Sequence, residues 1–191
     1  IKALSAFKGN IISDEEAAKQ ACHLEINLCG SPIGKQDQYA SAFGGLRVYR
    51  FHKNDTVSSE LVSCRKTTIE KLNFETSVFY IGGKRDANSI LERQSQALNE
   101  TRKAKLMSEM VSLVDELKQE LENDSTANFG KILNENWQLK RELSGSISSP
   151  YIDEIYSEAM SVGVTGGKLL GAGGGGFMIF HTPDNATKNR L

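Results

Sequence analysis

The sequence predicts an α+β protein with antiparallel strands, organised as two segments that we place at residues 1–72 and 73–191. Three observations predict this class. Apolar side chains recur at helical spacing in the second segment, stretches rich in β-branched and aromatic residues lie in both segments, and short polar or glycine-rich turns punctuate the β-rich stretches. We therefore expect mixed helix and strand first, and then strand, several helices, a glycine loop and a final strand.

Two helices are predicted in the first segment. Ser13 followed by Glu16 forms a capping box, which opens a helix that continues to about Leu28. A second, short helix begins at about Lys35, after a Ser-Pro start signal, and ends at the paired glycines 44–45.

Strands follow these helices. "LRVYRFH" at 46–52 and "TVSSELVS" at 56–63 have β-rich composition and are predicted to pair around the turn "KND". "SVFYIGG" at 77–83 is predicted as another strand, apolar and ending in glycines.

The rest of the second segment is predicted to be mainly helical. Helical patterns cover residues 88–123 and 129–143, and a third helix starts at Ser149-Pro150, where proline at the first helical position loses no hydrogen bond. "KLLGAGGGGFMIFH" at 168–181 then predicts a short apolar run, a glycine loop and a strand. The first helix carries an apolar stripe of Leu106, Met110, Leu113, Leu117 and Leu121. Such a stripe packs against its own sheet or binds a partner, and the first interpretation is the commoner one.

Composition narrows the class of protein. The chain has 191 residues, of which 39% are hydrophobic and 25% charged, as in ordinary globular domains. Lys and Arg number 23 against 24 Asp and Glu, so there is no charge excess to attract nucleic acid or an anionic membrane. Three cysteines without CxxC spacing, and no secretory segment, predict reduced thiols and a cytoplasmic protein.

The glycine loop at 171–176 does not fit the common nucleotide-binding patterns. A Rossmann site needs a helix after the glycines, but the strand-like "FMIFH" follows, and no Lys-Ser or Lys-Thr follows as in a Walker loop. A tight hairpin would need only one or two glycines, whereas five of these six residues are glycine. Glycine allows positive φ and close approach of backbone, and its N–H groups can face an anion, so we favour a functional loop.

Two motifs together resemble the GHMP kinase family. "SPIGKQDQYASAFGG" at 31–45 resembles the acceptor-site segment of these kinases, and "GGKLLGAGGGGFMIF" at 166–180 resembles their third signature motif. The stretches "FYIGGKRDANSILERQ" at 79–94 and "FGKILNENWQLKRELS" at 129–144 look most like the bacterial D-glycero-D-manno-heptose 7-phosphate kinase branch. The resemblance covers nearly the whole chain, and two motifs in order are more specific than either alone.

The resemblance implies a GHMP-kinase-like two-domain architecture. Residues 1–72 would be the end of the N-terminal α/β domain, and residues 73–191 a ferredoxin-like C-terminal domain. The family's first two motifs, including the Ser-rich loop around the nucleotide phosphates, do not occur in residues 1–191. We expect the uncapped "IKALSAF" to be the tail of the helix that this loop opens. Residues 1–191 are accordingly expected to be part of a longer protein and not to phosphorylate a substrate by themselves.

The resemblance also implies an activity and its residues. It implies an ATP- and Mg²⁺-dependent kinase whose small-molecule partners are ATP and a sugar phosphate, with the anomeric hydroxyl of the heptose phosphate as acceptor. Asp37 matches the family's acceptor-site aspartate, which would orient the acceptor hydroxyl or take its proton. Lys35 would neutralise phosphate charge or pair with Asp37, and Gln38 would hydrogen-bond the sugar.

Metal and nucleotide contacts are implied elsewhere in the chain. Glu25, twelve residues before Asp37, resembles the family's magnesium-binding glutamate. In the family the third motif supports the nucleotide phosphate loop. The matching positions are Gly171, Gly173, Gly174 and Gly175.

Other interpretations stay open at this stage. The acceptor could be another substrate of the family, of the galactose, fucose or mevalonate type, and some members of this superfamily bind small molecules without catalysis. A helical partner-binding module is a different class, but it leaves the glycine loop unexplained. Asp37 together with the loop favours the kinase.

Overall fold

The computed structural model describes residues 1–82, 101–143 and 147–191, and consists of two compact units, Ile1–Val62 and Ser63–Leu191. The predicted helix start at residue 88 and part of the motif at 79–94 lie outside the described residues. None of the described helices is long and apolar enough to cross a membrane.

Helices form most of the N-terminal unit. They are α1 (Lys2–Phe7), α2 (Asp14–Cys22), a π-helix (His23–Leu28) and α3 (Gln36–Phe43). The Ser13 hydroxyl accepts a hydrogen bond of 3.1 Å from the N–H of Glu16, which confirms the predicted cap. The helix that begins there continues to Leu28 as predicted, but its last six residues are π-helical. Gly44 ends α3 with a φ of 64°, in the left-handed region that favours glycine.

A hairpin completes the N-terminal unit. Strands β1 (Arg47–Phe51) and β2 (Val57–Leu61) pair antiparallel, with Arg47 opposite Leu61 and Phe51 opposite Val57. The predicted pairing around "KND" is therefore confirmed. The small core consists of Ala18, Cys22 and Tyr39, with Phe43 and Tyr49 packed against it.

The C-terminal unit combines one sheet with helices. Its elements are α4 (Lys66–Phe74), β3 (Thr76–Gly82), α5 (Thr101–Glu122), α6 (Phe129–Leu143), α7 (Pro150–Ser161), β4 (Gly166–Leu169), β5 (Gly176–His181) and α8 (Asn185–Arg190). All strand pairs are antiparallel, and the order across the sheet is β3-β5-β4. The sequence of strand, helices, two strands and helix matches the first five elements of a ferredoxin-like fold. The predicted α+β class is confirmed.

The core of this unit lies between the sheet and its helices. Trp137 of α6, Ile152 of α7 and Phe180 of β5 are almost completely buried in it. Leu106, Leu113 and Leu121 of the predicted stripe are buried as well. The stripe on α5 therefore packs within its own unit, as the commoner interpretation holds.

The division between the units falls after Val62 rather than after residue 72. Helix α4, which was not predicted, accounts for the difference. The N–H of Arg65 and the hydroxyl of Thr68 donate to the Asp124 carboxylate at 2.7 and 2.8 Å, which ties the start of α4 to the end of α5.

A polar cluster is buried where α4, β4 and β5 meet. The Glu75 carboxylate accepts a hydrogen bond of 2.7 Å from Thr126 and lies 3.3 Å from Nε2 of His181. The other ring nitrogen of His181 lies 2.6 Å from the hydroxyl of Thr165. Both nitrogens of this buried histidine thus have partners, as burial of a polar ring requires.

Helix and sheet approach each other closely between Gly130 of α6 and Gly166 of β4. A Cβ atom at Gly166 would overlap the backbone carbonyl of Gly130, and one at Gly130 would overlap the hydroxyl of Thr165. Only glycine at both positions allows this contact.

We predict that Gly166→Ala lowers the free energy of unfolding of the C-terminal unit by about 2 kcal/mol or more, because an overpacked methyl group typically costs 1–3 kcal/mol. Urea denaturation of the full-length protein measures the effect. Gly34→Ala is the matched control, since a Cβ there would meet no atom within 4 Å, and should change stability by less than about 0.5 kcal/mol. Equal stability of the two variants would contradict the contact.

Candidate active site

A cleft of about 330 Å³ opens in the N-terminal unit between α1, α2, the π-helix and α3. Glu25, Asp37 and Gln38 all line it. The structure thus brings three of the four predicted site residues of this unit to one surface.

The π-helix positions Glu25. In a π-helix the backbone hydrogen bonds span five residues instead of four. Side chains that follow the transition from α-helix to π-helix therefore face directions that α-helical spacing does not predict. One carboxylate oxygen of Glu25, Oε2, accepts a hydrogen bond of 2.7 Å from Nε2 of Gln38. Hydrogen bonds to a charged group are shorter and stronger than neutral ones, so Gln38 fixes the orientation of this carboxylate.

Gln38 is the buried member of the group, with 6% of its surface exposed. Its amide nitrogen is used by Glu25, but its oxygen, Oε1, is buried and has no hydrogen-bond partner among the described residues. Buried polar atoms are nearly always satisfied, so this oxygen requires a donor, such as a ligand hydroxyl. The geometry suits the predicted contact with a sugar hydroxyl, which stays a prediction.

Asp37 lies in the first turn of α3 and is exposed to the cleft. Its carboxylate makes no hydrogen bond or ion pair with the described residues, which leaves both oxygens available to a ligand. The helix dipole stabilises negative charge at this position. Asp37 can therefore act on a hydroxyl group bound in the cleft.

Lys35 lies apart from these three residues. Its ammonium group forms an ion pair with Asp55 in the hairpin turn and lies 3.4 Å from the backbone oxygen of the same residue. The expectation that Lys35 pairs with Asp37 was wrong, because the side chains of residues two positions apart at a helix start point in directions that differ by roughly 200°. Lys35 does not line the cleft, and its catalytic role stays a prediction.

The cleft residues fit a magnesium ion bound together with a phosphorylated ligand. Mg²⁺ usually takes one or two carboxylates and completes its shell with water and phosphate oxygens. Glu25 is exposed and keeps Oε1 available, since only Oε2 accepts from Gln38. No group of three or more acidic, histidine or cysteine side chains suited to a metal occurs among the described residues. A dedicated protein cage is thus not found in this part of the chain, and the fit rests on Glu25.

The glycine loop joins β4 to β5 in the C-terminal unit. Gly171, Gly173, Gly174 and Gly175 have φ values of 69°, 116°, 75° and 151°, which confirms the predicted need for positive φ. The N–H of Gly174 donates to the carbonyl of Ile147 at 2.9 Å. A Cβ at Gly173 would lie 3.1 Å from two backbone atoms of Ile147, so this glycine also permits close packing.

Two lysines beside the loop were not predicted. The ammonium group of Lys140 donates to the carbonyl of Gly171, and that of Lys168 donates to Oδ1 of Asn136, each at 2.5 Å. Neither lysine forms an ion pair with a carboxylate of the described residues. Burial lowers the pKa of Lys140 to about 8, and the positive charge of Lys168 contributes to this lowering. Burial also lowers the pKa of Lys168. One sequence signal is available for Lys168, which lies within the motif at 166–180, three residues before the first glycine of the loop.

Comparison with known proteins supports the family resemblance. Residues 117–190 match the family described as GHMP kinases C terminal. This match confirms the predicted resemblance.

Two curated relatives match most of this chain. The chain is 28% identical over 180 residues to D-glycero-alpha-D-manno-heptose 7-phosphate kinase of Campylobacter jejuni, covering 94% of this chain and 53% of the relative. It is 27% identical over 188 residues to mevalonate kinase of Saccharolobus solfataricus, with the same two coverages. The chain therefore spans about half the length of these curated relatives.

A solved structure agrees in fold. Phosphomevalonate kinase of Streptococcus pneumoniae, in complex with phosphomevalonate and AMPPNP, superposes with a TM-score of 0.80 at 17% identity, covering 99% of this chain and 61% of that chain. At this identity the likeness concerns the fold alone. It agrees with the predicted GHMP-kinase-like architecture.

We predict that the charge of Lys140 destabilises the fold below about pH 8. The pKa of Lys140 is lowered from 10.5 to about 8 in the folded state. Between these two values the unfolded chain binds a proton that the folded chain has released, so the free energy of unfolding rises with pH in this window. The lowering corresponds to about 3 kcal/mol.

Urea denaturation of Lys140→Met and the unmodified protein at about pH 7 and at pH 10.5 tests this expectation. The stability of the variant relative to the unmodified protein should fall by up to about 3 kcal/mol over that range. Lys131→Met on the same helix is the control, because Lys131 is exposed and paired with Glu135. A relative stability of Lys140→Met that does not change with pH would refute the prediction.

Proposed function

We propose that the protein is an ATP- and Mg²⁺-dependent cytoplasmic kinase that phosphorylates the anomeric hydroxyl of D-glycero-D-manno-heptose 7-phosphate. The observation that carries the proposal is the arrangement of Glu25, Asp37 and Gln38, which line one cleft with Gln38 holding the Glu25 carboxylate. The choice of a heptose phosphate rests on the Campylobacter relative.

In this proposal Asp37 acts on the acceptor. Phosphoryl transfer has a loose transition state, so positioning and charge stabilisation provide most of the catalysis. Asp37 would accept a hydrogen bond from the anomeric hydroxyl and direct its oxygen at the γ-phosphorus. As the new oxygen–phosphorus bond forms and the bond to the ADP oxygen breaks, the hydroxyl proton would pass to the Asp37 carboxylate.

Gln38 has two tasks in the same proposal. Its amide nitrogen holds Glu25, and its unpaired oxygen would accept a hydrogen bond from a second sugar hydroxyl. Glu25 would bind Mg²⁺, which, when bound, neutralises charge on the phosphate oxygens. The glycine loop would support the nucleotide phosphates through its closely approaching backbone.

A mevalonate-type acceptor is a second candidate. The relative of 27% identity is a mevalonate kinase that matches the same share of this chain. Asp37 would serve a primary alcohol in the same way as a sugar hydroxyl. A non-catalytic domain that binds small molecules is the alternative of another class.

ADP release with Mg-ATP and a panel of acceptors decides between these proposals. The full-length protein should use the heptose phosphate with a kcat/KM at least about tenfold above that for mevalonate, galactose or fucose, because one or two specific contacts provide this much discrimination. Faster turnover of mevalonate favours the second candidate. Binding of sugars without ADP release with any acceptor would favour the non-catalytic domain.

We predict that Asp37→Asn lowers turnover by more than about tenfold, since a positioned acid–base group contributes roughly 10²–10⁴-fold. The melting temperature should shift by only a few degrees, because Asp37 has no partner among the described residues whose loss would destabilise the fold. Glu15→Gln is a matched control, as Glu15 is an exposed carboxylate of α2 that is paired with Lys19. Turnover above about a tenth of the unmodified rate in Asp37→Asn would count against the assignment.

We further predict that Gly174→Val impairs use of ATP more than Gly9→Val does. The two glycines have nearly equal φ values of 75° and 76°, so the backbone strain introduced by valine is matched. Only Gly174 lies in the proposed nucleotide-supporting loop. Kinetics with ATP as the varied substrate give KM and kcat for both variants, and equal effects would exclude a special role of the loop.

A further inference from the structure

Lys140 and Lys168 come from different elements, α6 and β4, and each makes a hydrogen bond between α6 and the chain from β4 to the glycine loop. Asn136 and Lys140 lie four residues apart and therefore on the same side of α6. Lys168 of β4 binds Asn136, and Lys140 binds the carbonyl of Gly171. Both ammonium groups thus lie along the side of α6 that faces β4 and the start of the loop.

These two lysines differ from others of the C-terminal unit in their partners. Lys105, Lys118 and Lys131 each form an ion pair with a glutamate one helical turn away. Lys140 and Lys168 are partly buried, and their hydrogen-bond partners within the described residues are neutral oxygens. The positive charge at this position is therefore concentrated and uncompensated by the described part of the chain.

Physical chemistry favours an anion here. Two poorly solvated like charges destabilise each other and the fold unless a negative charge joins them. Each ammonium group carries three N–H donors, of which the described residues take one in each case. A phosphate group offers up to two negative charges and several acceptor oxygens, which matches two cations with donors to spare better than a single carboxylate does.

We propose that Lys140 and Lys168 form a binding site for a phosphate group beside the glycine loop. The site would take either the phosphate of a phosphorylated small molecule or a phosphate of a nucleotide. The inference does not rest on the proposed kinase activity, because phosphate binding is measured without turnover.

Calorimetric titration with inorganic phosphate at constant ionic strength tests the site in the full-length protein. Lys140→Gln and Lys168→Gln remove the charge but keep an N–H donor for the neighbouring oxygen. Each should weaken binding of phosphate at least about tenfold, as expected for loss of a charge-assisted contact. Lys131→Gln, with the same charge change on the same helix, should stay within about twofold. Absence of saturable binding to the unmodified protein, or equal binding by all variants, overturns the proposal.

Two further ligands distinguish the source of the phosphate. Glucose 6-phosphate and metal-free ADP are titrated into the same four proteins, with glucose as the ligand without phosphate. A sugar phosphate that loses affinity in both site variants, while ADP does not, identifies the acceptor's phosphate as the occupant. If ADP loses affinity in both site variants and the sugar phosphate does not, the occupant is a phosphate of a nucleotide. If neither ligand depends on the two lysines, the site has no role in binding phosphorylated molecules and the proposal fails.

A measurement on the unmodified protein keeps the test valid if a variant does not fold. Saturating phosphate should raise the pKa of Lys140, observed through its ¹³Cε resonance, because a bound anion favours the charged amine. An unchanged pKa of Lys140 would refute the site. Phosphate binding without any kinase activity would instead refute the proposed function and leave this site standing.

Discussion

The backbone contact between Gly130 and Gly166 is the constraint on which the C-terminal unit depends. Without side chains at either position, the start of α6 lies directly against the start of β4. From there the helix continues beside the sheet, which brings Lys140 to the carbonyl of Gly171 and Asn136 to Lys168. A larger separation of helix and sheet would remove both contacts. The unusual charge environment at the loop is thus a consequence of backbone packing some ten residues away along α6.

Gln38 has the corresponding role in the N-terminal unit. It is the buried polar residue through which α3 and the π-helix meet, and its amide holds the Glu25 carboxylate at the cleft. The neighbouring Asp37 is exposed, because adjacent residues of a helix point in different directions. One residue pair of α3 therefore supplies both a support buried in the unit and an exposed carboxylate that lines the cleft. Such support from a second residue is what fixes a reactive group in a productive orientation.

Local sequence signals made much of the fold predictable. The features that were not predicted depend on contacts between residues far apart in the chain. The cap at Ser13 and the glycine-rich loop depend on one or two neighbouring residues, so the sequence predicts them directly. Helix α4 has no side-chain cap and contains adjacent threonines, which favour strands, so tertiary contacts such as the hydrogen bonds to Asp124 just after α5 explain it. The π-helix has no known signature in a single sequence. The ion pair of Lys35 with Asp55 and the burial of Lys140 depend on tertiary contacts that spacing does not encode.

The topology of the sheet sets the order in which it can form on the ribosome. Strand β5 lies in the middle, between β3 and β4, although it is the last of the three to be synthesised. Strand β3 therefore leaves the ribosome about a hundred residues before its partner, and at several residues per second it waits for many seconds with unpaired edges. Its outward side chains include Val78 and Tyr80, more than half exposed even in the finished sheet. Nascent chains of this protein are thus candidates for chaperone binding at β3 until β5 arrives.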